Sequence, residues 1–153
     1  MPHWQLITLA LVQAVSEFLP ISSSGHLNLL QSLFNLTPSL SFAVFLNTAT
    51  LFSVIFVFYR QISSFIKSIP LIVIGSLPAA IVGIAYRDQI DSIFSHPQYL
   101  PLFFLITSIL LLSLKFIKIK DQSITPQKAL IIGLFQALAL FPGVSRSGAT
   151  LFA

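Results

Sequence analysis

Residues 13–27 read QAVSEFLPISSSGHL and residues 136–150 read QALALFPGVSRSGAT, so two distant stretches of this chain are versions of one another. Aligned, they share Gln, Ala, Phe, two Ser and one Gly. The informative differences are Glu17 against Leu140, Ser23 against Arg146, and His26 against Ala149. One copy carries an acid and an imidazole and the other a guanidinium, which predicts a polar site built between two halves of the fold.

The composition indicates a membrane protein. Hydrophobic residues make up 56% of the 153 residues and charged residues only 8%, whereas a soluble domain carries about 25% charged residues. Because there is no cysteine, disulfides and thiolate metal sites are excluded. The net charge of +4 is small and lies in loops, which favours membrane orientation over nucleic-acid binding. We therefore expect an integral membrane protein that contacts lipids and binds no nucleic acid.

Three apolar stretches are long enough to cross a bilayer as helices. At 1.5 Å rise per residue each covers about 24–30 Å, close to the thickness of the hydrocarbon core. They run roughly over residues 40–59, 69–86 and 99–114. The sequence therefore predicts three transmembrane helices.

The segments on either side of these stretches are too short to cross alone. An apolar run from Trp4 stops at Pro20, and a second one covers residues 27–36. Two short helices joined by a Ser/Gly turn at membrane depth form a re-entrant hairpin, which needs protein or a wet cavity over the turn. Residues 128–141, followed by a Pro-Gly pair, begin the same arrangement a second time.

The basic residues of the loops predict the orientation. Arg87 lies on one side of the three crossings and the other loop cations lie on the opposite side, which the positive-inside rule makes cytoplasmic. An odd number of crossings between the hairpins inverts the second, so the first opens to the outer side and the second to the cytoplasm. The cytoplasmic set is Arg60, Lys67, Lys115, Lys118, Lys120 and Lys128.

We therefore expect an all-α integral membrane fold, with one membrane domain over residues 1–153. Its order is a re-entrant helical hairpin, three transmembrane helices, and the start of a second, inverted re-entrant hairpin. Repeat 1 begins near residue 4 and repeat 2 near residue 126. Such an inverted-topology repeat brings broken helices together near the bilayer midplane.

Glu17 is the sharpest candidate for chemistry. A carboxylate in an apolar helix costs about 2.5–3.5 kcal/mol to insert, so it should face a cavity or a partner. Gln13 lies one turn earlier on the same helix face. Two interpretations stay open: the pair hydrogen-bonds neighbouring helices as structural support, or it supplies a metal ligand or a base for water.

The Ser-rich turn and Arg146 are the next candidates. Backbone N–H groups at a helix start, with the hydroxyls of residues 22–24, favour an anion, although Ser is also an ordinary N-cap residue. His26 follows in the same turn, where an imidazole at membrane depth indicates a function.

Arg146 suits phosphate oxygens bidentately, or it forms a structural ion pair with Glu17. Asn47, in the first crossing, contacts another helix or lines the cavity rim.

At these residues a family resemblance becomes specific. QAVSEFLPISSSGHL resembles the first signature of the undecaprenyl-diphosphate phosphatase family of the BacA type, an (E/Q)xxxE pair followed by a Ser-rich turn, Gly and His. FPGVSRSGAT, residues 141–150, resembles the second signature, PGxSRSxxT. GSLPAAIVG, residues 75–83, is similar to a family segment between them. The resemblance covers essentially the whole chain.

The resemblance implies an integral hydrolase of the bacterial plasma membrane that removes one phosphate from undecaprenyl diphosphate. This reaction regenerates the lipid carrier for peptidoglycan and other envelope polymers, and excess activity gives bacitracin resistance. A divalent cation, Mg²⁺ or Ca²⁺, is implied as well, and Glu17 and the substrate phosphates could share it.

Carried over residue by residue, the resemblance implies two groups of site residues. Glu17 would activate a water or a serine hydroxyl, Ser23 first, while His26 would shuttle a proton or orient the phosphate. The attacking group stays open among water, Ser and His. The catalytic group is Glu17, Ser23, His26 and Arg146, with Glu17 also as a metal ligand. The substrate-binding group is Gln13, Ser22, Ser24, Gly25, Ser145, Ser147, Gly148 and Thr150.

Two features depart from the family pattern. Gln13 cannot act as a base, so Glu17 would carry that role alone. The sequence stops three residues after the second signature, whereas family members continue for several more helices, so we expect a C-terminally incomplete family domain. The alternatives to a phosphatase are a membrane lipid or anion transporter or flippase, and an inactive half-protein that needs a complementing partner or a homodimer.

Overall fold

The structure is a computed structural model that describes residues 2–116 and 123–153, without the side chains of residues 63 and 64. The regular structure of these residues is helical. Lys118 and Lys120, which contribute to the predicted orientation, lie outside the described residues. In chain order the helices are α1 (His3–Ser16), α2 (Ser23–Leu33), α3 (Leu40–Val57), α4 (Ile62–Ile66), α5 (Ile69–Ala85), α6 (Arg87–Phe94), α7 (Leu100–Leu114, after a 3₁₀ turn at Pro97–Tyr99), α8 (Pro126–Leu138) and α9 (Arg146–Phe152).

In the described part of the chain, two helical stretches are long and apolar enough to cross a membrane. They are α3 and the 18 residues Pro97–Leu114 that include α7. The pair α5 and α6 would be a third, but the chain bends by 79° between them. Large apolar side chains are exposed, with Phe56 at 79% and Ile84 at 82% of their surface. Lipid rather than water suits such a surface, so the expected all-α membrane class is confirmed.

Each Ser/Gly turn joins two short helices that pack against one another, α1 with α2 and α8 with α9. α1 has 14 residues and α2 has 11, which makes both shorter than a bilayer core of about 30 Å. The helices begin in the same register as the sequence repeat. α1 begins at His3 and α8 at Pro126, while α2 begins at Ser23 and α9 at Arg146, so both pairs have the offset that separates Gln13 from Gln136.

The first hairpin is held by a small apolar core. Leu9 of α1, Leu27 of α2, Ala43 of α3 and Phe94 of α6 are all buried and in contact. Asn28, which is also buried, donates a hydrogen bond from Nδ2 to the carbonyl oxygen of Phe94. This bond satisfies one of the carbonyl groups that a helix end leaves without an intrahelical partner. The core therefore fixes the first turn relative to α3 and α6.

The second hairpin is held through α5 and α8, which pack along one another through small residues. A Cβ at Gly133 would lie 2.5 Å from the carbonyl oxygen of Gly75 and 2.9 Å from Cδ of Pro78. On the opposite side of this contact, a Cβ at Gly75 would lie 3.2 Å from the carbonyl oxygen of Ala129. Small residues permit this backbone approach, as in other membrane helix pairs.

We predict that Gly133→Ala destabilises the fold by about 1–3 kcal/mol, because the added methyl group overpacks the α5–α8 contact. Gly83→Ala is the matched control, since its Cβ would meet only Cδ1 of Leu140, at 3.7 Å. Thermal midpoints of the purified protein in detergent, followed by size-exclusion chromatography, measure the difference. Equal midpoints for the two variants would show that this close contact does not support the fold.

Candidate functional site

The two Ser/Gly turns share their capping hydrogen bonds, although the N-cap backbone is left-handed at Ser22 (φ 67°) and extended at Ser145 (φ −72°). The hydroxyl Oγ of Ser22 accepts a hydrogen bond from the Gly25 N–H at 3.3 Å and caps α2. At the equivalent positions, Oγ of Ser145 accepts from the Gly148 N–H at 3.1 Å and caps α9. The N-cap interpretation of these serines therefore holds for Ser22 and Ser145. It leaves the N–H groups of the first helical residues without intrahelical partners, as at any helix start.

A second hydrogen bond repeats in both turns. The hydroxyls of Ser22 and Ser24 lie 3.3 Å apart, and those of Ser145 and Ser147 lie 3.2 Å apart. The sequence repeat is thus also a repeat of these two hydrogen bonds. The change from Ser23 to Arg146 falls between the two bonded serines, so both hydrogen bonds are present in each turn although the side chain between them differs.

The two turns touch through their glycines. A Cβ at Gly25 would lie 2.7 Å from Cα of Gly143, so no side chain fits between the two backbones. Gly143 has φ +99°, a left-handed conformation that residues with a Cβ rarely adopt. The sequence predicts that Gly25 binds substrate. In the structure Gly25 is buried and forms a packing contact between the two turns.

Thr107 of α7 holds the second turn by two hydrogen bonds, and no pattern in the sequence predicts this role. Its Oγ1 donates to the carbonyl oxygen of Gly143 at 2.7 Å and accepts from the Ser145 N–H at 2.9 Å. Thr107 and Ser145 are 4% and 1% exposed, so this pair of bonds is shielded from solvent. Thr107 therefore sets the direction in which the chain enters α9 at Arg146.

On the opposite side, Glu17 takes part in a chain of polar contacts. Its Oε2 accepts from Nε2 of Gln13 at 2.8 Å and from the hydroxyl of Ser23. The same Nε2 of Gln13 also donates to Oδ1 of Asn47 on α3, at 2.5 Å. Gln13 is 2% exposed, so the carboxylate of Glu17 is held by a buried side chain. Gln13 fits the structural interpretation of this pair, because it hydrogen-bonds Asn47 of a neighbouring helix. Glu17 lines a cavity, as the functional interpretation requires.

A cavity of about 320 Å³ lies between the two turns, and polar side chains from both repeats line it. Arg146 is exposed and forms no ion pair with any described residue, which contradicts a structural Glu17–Arg146 ion pair. The predicted site residues that line the cavity are Glu17, Ser22, Ser23, Ser24, Ser145, Arg146, Ser147 and Thr150.

Four predicted site residues are absent from this lining. Gln13, Gly25 and Gly148 are buried in the supporting structure. His26 is half-buried, with its ring edge-to-face on Phe104 at a centroid distance of 5.3 Å. Its Nδ1 lies 2.7 Å from the carbonyl oxygen of Ser22 and must donate to it, since a carbonyl only accepts.

Two carboxamides line the cavity without having been predicted as site residues. Gln136 of α8 aligns with Gln13 in the repeat, so the sequence held a signal for it. Leu140 replaces the carboxylate partner in this copy, and the Gln136 amide makes no hydrogen bond to a described residue. Asn47 lines the cavity as well and also accepts a hydrogen bond from Gln13 of α1, so both interpretations of this residue, contact with another helix and a place on the cavity, hold.

The donors around Glu17 are compatible with a hard divalent cation. No cluster of three or more His, Cys, Asp or Glu side chains occurs among the residues described. The available donors are oxygens: Oε1 of Glu17, which accepts no hydrogen bond from the described residues, and Oε1 of Gln13, which is buried without a partner. Mg²⁺ and Ca²⁺ prefer such oxygens, and Mg²⁺ is commonly held by one carboxylate together with substrate phosphates.

Comparison with known proteins identifies the family. A family model described as bacitracin resistance protein BacA matches residues 6–153. The chain belongs to the BacA family. The resemblance read from the two signatures is therefore confirmed, and the BacA family is one of membrane proteins, which agrees with the apolar helices.

Several curated BacA relatives are named undecaprenyl-diphosphatase. The one from Thermosipho melanesiensis is 42% identical over 159 residues, which cover 95% of this chain and 64% of the relative. The one from Methanococcus maripaludis (strain C6) is 39% identical over 165 residues, covering 96% and 65%. The one from Thermotoga petrophila is 35% identical over 151 residues, covering 95% and 64%. The chain thus spans just under two thirds of the length of these relatives.

We predict that Thr107→Val loosens the second turn, because the buried Ser145 N–H loses its acceptor at a cost of about 1–3 kcal/mol. Thr107→Ser keeps the hydroxyl and should behave like the wild type. Hydrogen exchange of a peptide covering residues 142–148 measures the effect, with faster exchange expected for the valine variant only.

Ser108→Ala is the control on the same helix, since its exposed hydroxyl bonds only to the carbonyl oxygen of Phe104. Unchanged exchange in Thr107→Val would mean that α7 does not hold the turn.

Proposed function

We propose that the whole protein is an undecaprenyl-diphosphate phosphatase, which hydrolyses undecaprenyl diphosphate to undecaprenyl phosphate and inorganic phosphate. The observation that carries the proposal is the cavity in which both family signatures meet. It has a carboxylate hydrogen-bonded to a serine hydroxyl on one side and, on the other, a guanidinium that forms no ion pair with a described residue. The names of the BacA relatives support the same activity.

In the proposed topology, α1–α2 and α8–α9 are re-entrant hairpins that enter the bilayer from opposite faces. α3, α5 and α7 cross it between them, which inverts the second hairpin relative to the first. The short hairpin helices and the contact between Gly25 and Gly143 support this arrangement. The predicted orientation keeps the lysine-rich loops in the cytoplasm and opens the first hairpin to the outer side of the plasma membrane.

Arg146 would bind the diphosphate. Its planar fork can donate two parallel hydrogen bonds to phosphate oxygens and offset the charge of the transferred group. The hydroxyls of Ser147 and Thr150 line the same cavity beside it. The N–H groups of Ser23 and Ser24 at the start of α2 face no backbone acceptor among the described residues, so they add donors opposite Arg146.

Glu17 would act as the general base and Ser23 as the nucleophile. The hydroxyl of Ser23 already donates to Oε2 of Glu17, which is the geometry of a nucleophile with its base. As Ser23 Oγ bonds to the terminal phosphorus, its proton passes to Glu17 and the bond to the bridging oxygen breaks. Undecaprenyl phosphate leaves, and water then hydrolyses the phosphoserine to release phosphate.

His26 would position this turn rather than touch the phosphate, because its Nδ1 holds the Ser22 carbonyl oxygen and its ring packs on Phe104. A bound Mg²⁺ or Ca²⁺ would neutralise charge on the diphosphate. Glu17 and Gln13 would hold it through their Oε1 atoms.

We predict that Glu17→Gln lowers phosphate release from a C55 diphosphate in detergent about 10²–10⁴-fold, as expected when a general base is lost. Ser23→Ala should lower the rate at least as far, since it removes the nucleophile. Arg146→Ala should lower it about 10²–10³-fold by removing charge stabilisation in the transition state. Phosphate release, compared with that of the Thermosipho melanesiensis relative, is the measurement.

The matched controls are Asp88→Asn, Ser32→Ala and Arg60→Ala, none of which lines the cavity. Full activity in Glu17→Gln would remove the base from the proposal, and full activity in Ser23→Ala would make water the attacking group. A wild-type protein that moves the lipid across vesicles without releasing phosphate would support the transporter alternative instead.

We predict that EDTA abolishes most of the phosphate release and that added Mg²⁺ or Ca²⁺ restores it. The Glu17→Gln variant should need a higher cation concentration than the wild type to reach half of its own maximal activity, because a carboxylate ligand is lost. Turnover that continues undiminished in EDTA would contradict a role for the cation.

A further inference from the structure

Asn47 is the polar side chain through which α3 reaches the site. α3 is otherwise strongly apolar, with a mean hydropathy of 2.0 over its 18 residues. Asn47 lines three cavities, of about 320, 230 and 350 Å³, and Arg146 lines each of them as well. A carboxamide that lines the same three cavities as the Arg146 guanidinium, which has no ion-pair partner among the described residues, is placed to contact whatever Arg146 binds.

The orientation of the Asn47 amide follows from its neighbours. An ionised carboxylate only accepts hydrogen bonds, so the Gln13 atom 2.8 Å from Glu17 must be the amide nitrogen. That nitrogen is also 2.5 Å from Asn47, so the Asn47 atom facing it must be the acceptor Oδ1. The donor Nδ2 is therefore on the other branch of the amide, where no described residue accepts from it.

A free N–H₂ group in this place can donate to an anion. Asn47 has the geometry of a hydrogen-bond donor that is oriented before the ligand arrives, because one branch of its amide is already bonded. A diphosphate presents more oxygens than one guanidinium can satisfy. The other α3 residues that line these cavities near Asn47 are apolar or hydroxyl side chains: Leu40, Ala43, Val44, Thr48, Thr50, Leu51 and Val54.

We infer that Asn47 is a further substrate-binding residue, whose Nδ2 donates a hydrogen bond to a phosphate oxygen while its Oδ1 holds the Gln13–Glu17 pair. The inference rests on the proposed diphosphatase function and adds a third element, α3, to the two turns that bind the substrate. Asn47 also couples phosphate binding to the general base Glu17, because its amide contacts the phosphate through Nδ2 and the Gln13–Glu17 pair through Oδ1.

Asn47→Asp separates the two roles of this amide. The aspartate keeps an acceptor for Gln13 but replaces the donor by an anionic oxygen that repels phosphate. We expect KM for the C55 diphosphate to rise about 10- to 100-fold, the size expected for a lost hydrogen bond to a charged group, with a smaller change in kcat. Asn47→Leu loses both contacts, so it should raise KM and lower kcat together.

Gln127→Glu is the matched control, because it makes the same amide-to-acid change at an exposed position of α8 outside the cavities. Its KM should stay at the wild-type value. Thermal midpoints in detergent show whether each variant is folded, and binding of inorganic pyrophosphate, measured by calorimetry, gives a readout that needs no turnover. Asn47→Asp should bind pyrophosphate more weakly than the wild type.

The outcomes distinguish this inference from the proposed function. If the wild type releases phosphate and a folded Asn47→Asp keeps both KM and pyrophosphate affinity within twofold, Asn47 is only a support for Gln13 and the inference is wrong. If the wild type binds pyrophosphate and Asn47→Asp binds it more weakly, but neither releases phosphate, the proposed reaction fails and the anion site stands.

Discussion

The close contact between the two Ser/Gly turns is the constraint on which the site depends. The backbones of Gly25 and Gly143 meet with no room for a side chain, and the acid of one repeat and the guanidinium of the other line the same cavity. Neither hairpin alone contains both groups. The packing of α5 on α8 and the core around Phe94 hold the hairpins from outside so that the turns stay in contact.

Two turns with the same capping hydrogen bonds carry different chemistry, because those bonds use the serines on either side of one position and leave that position free to vary. Ser22 and Ser145 are committed to the backbone, and each is bonded to the serine two residues later. The residue between the two bonded serines makes neither of these bonds, and it is Ser in one copy and Arg in the other. The glutamines of the two copies also differ: Gln13 donates a hydrogen bond to Glu17, whereas Leu140 stands at the position equivalent to Glu17 and Gln136 makes no hydrogen bond to a described residue.

Much of this arrangement could be predicted from the sequence. Hydrophobic runs locate α3, α5 and α7 within a few residues, because burial in lipid demands long apolar helices whatever the tertiary contacts. The repeat indicates which residues form the site, and eight of the twelve predicted site residues line one cavity. The 79° bend between α5 and α6 was not predicted, since the apolar stretch and the polar helix after it have no sequence feature that fixes their angle.

The sequence by itself determined the membrane class, the family and the two turns, because composition, register and signature residues are local properties of the chain. Only the tertiary structure decided which polar groups have partners. It gives Gln13 and His26 supporting positions and brings Asn47 and Thr107 to the turns from two other helices. Within residues 2–116 and 123–153 it also shows no ion pair for Arg146. The physical reason is that hydrogen-bond partners distant in sequence meet only through helix packing, which no local pattern encodes.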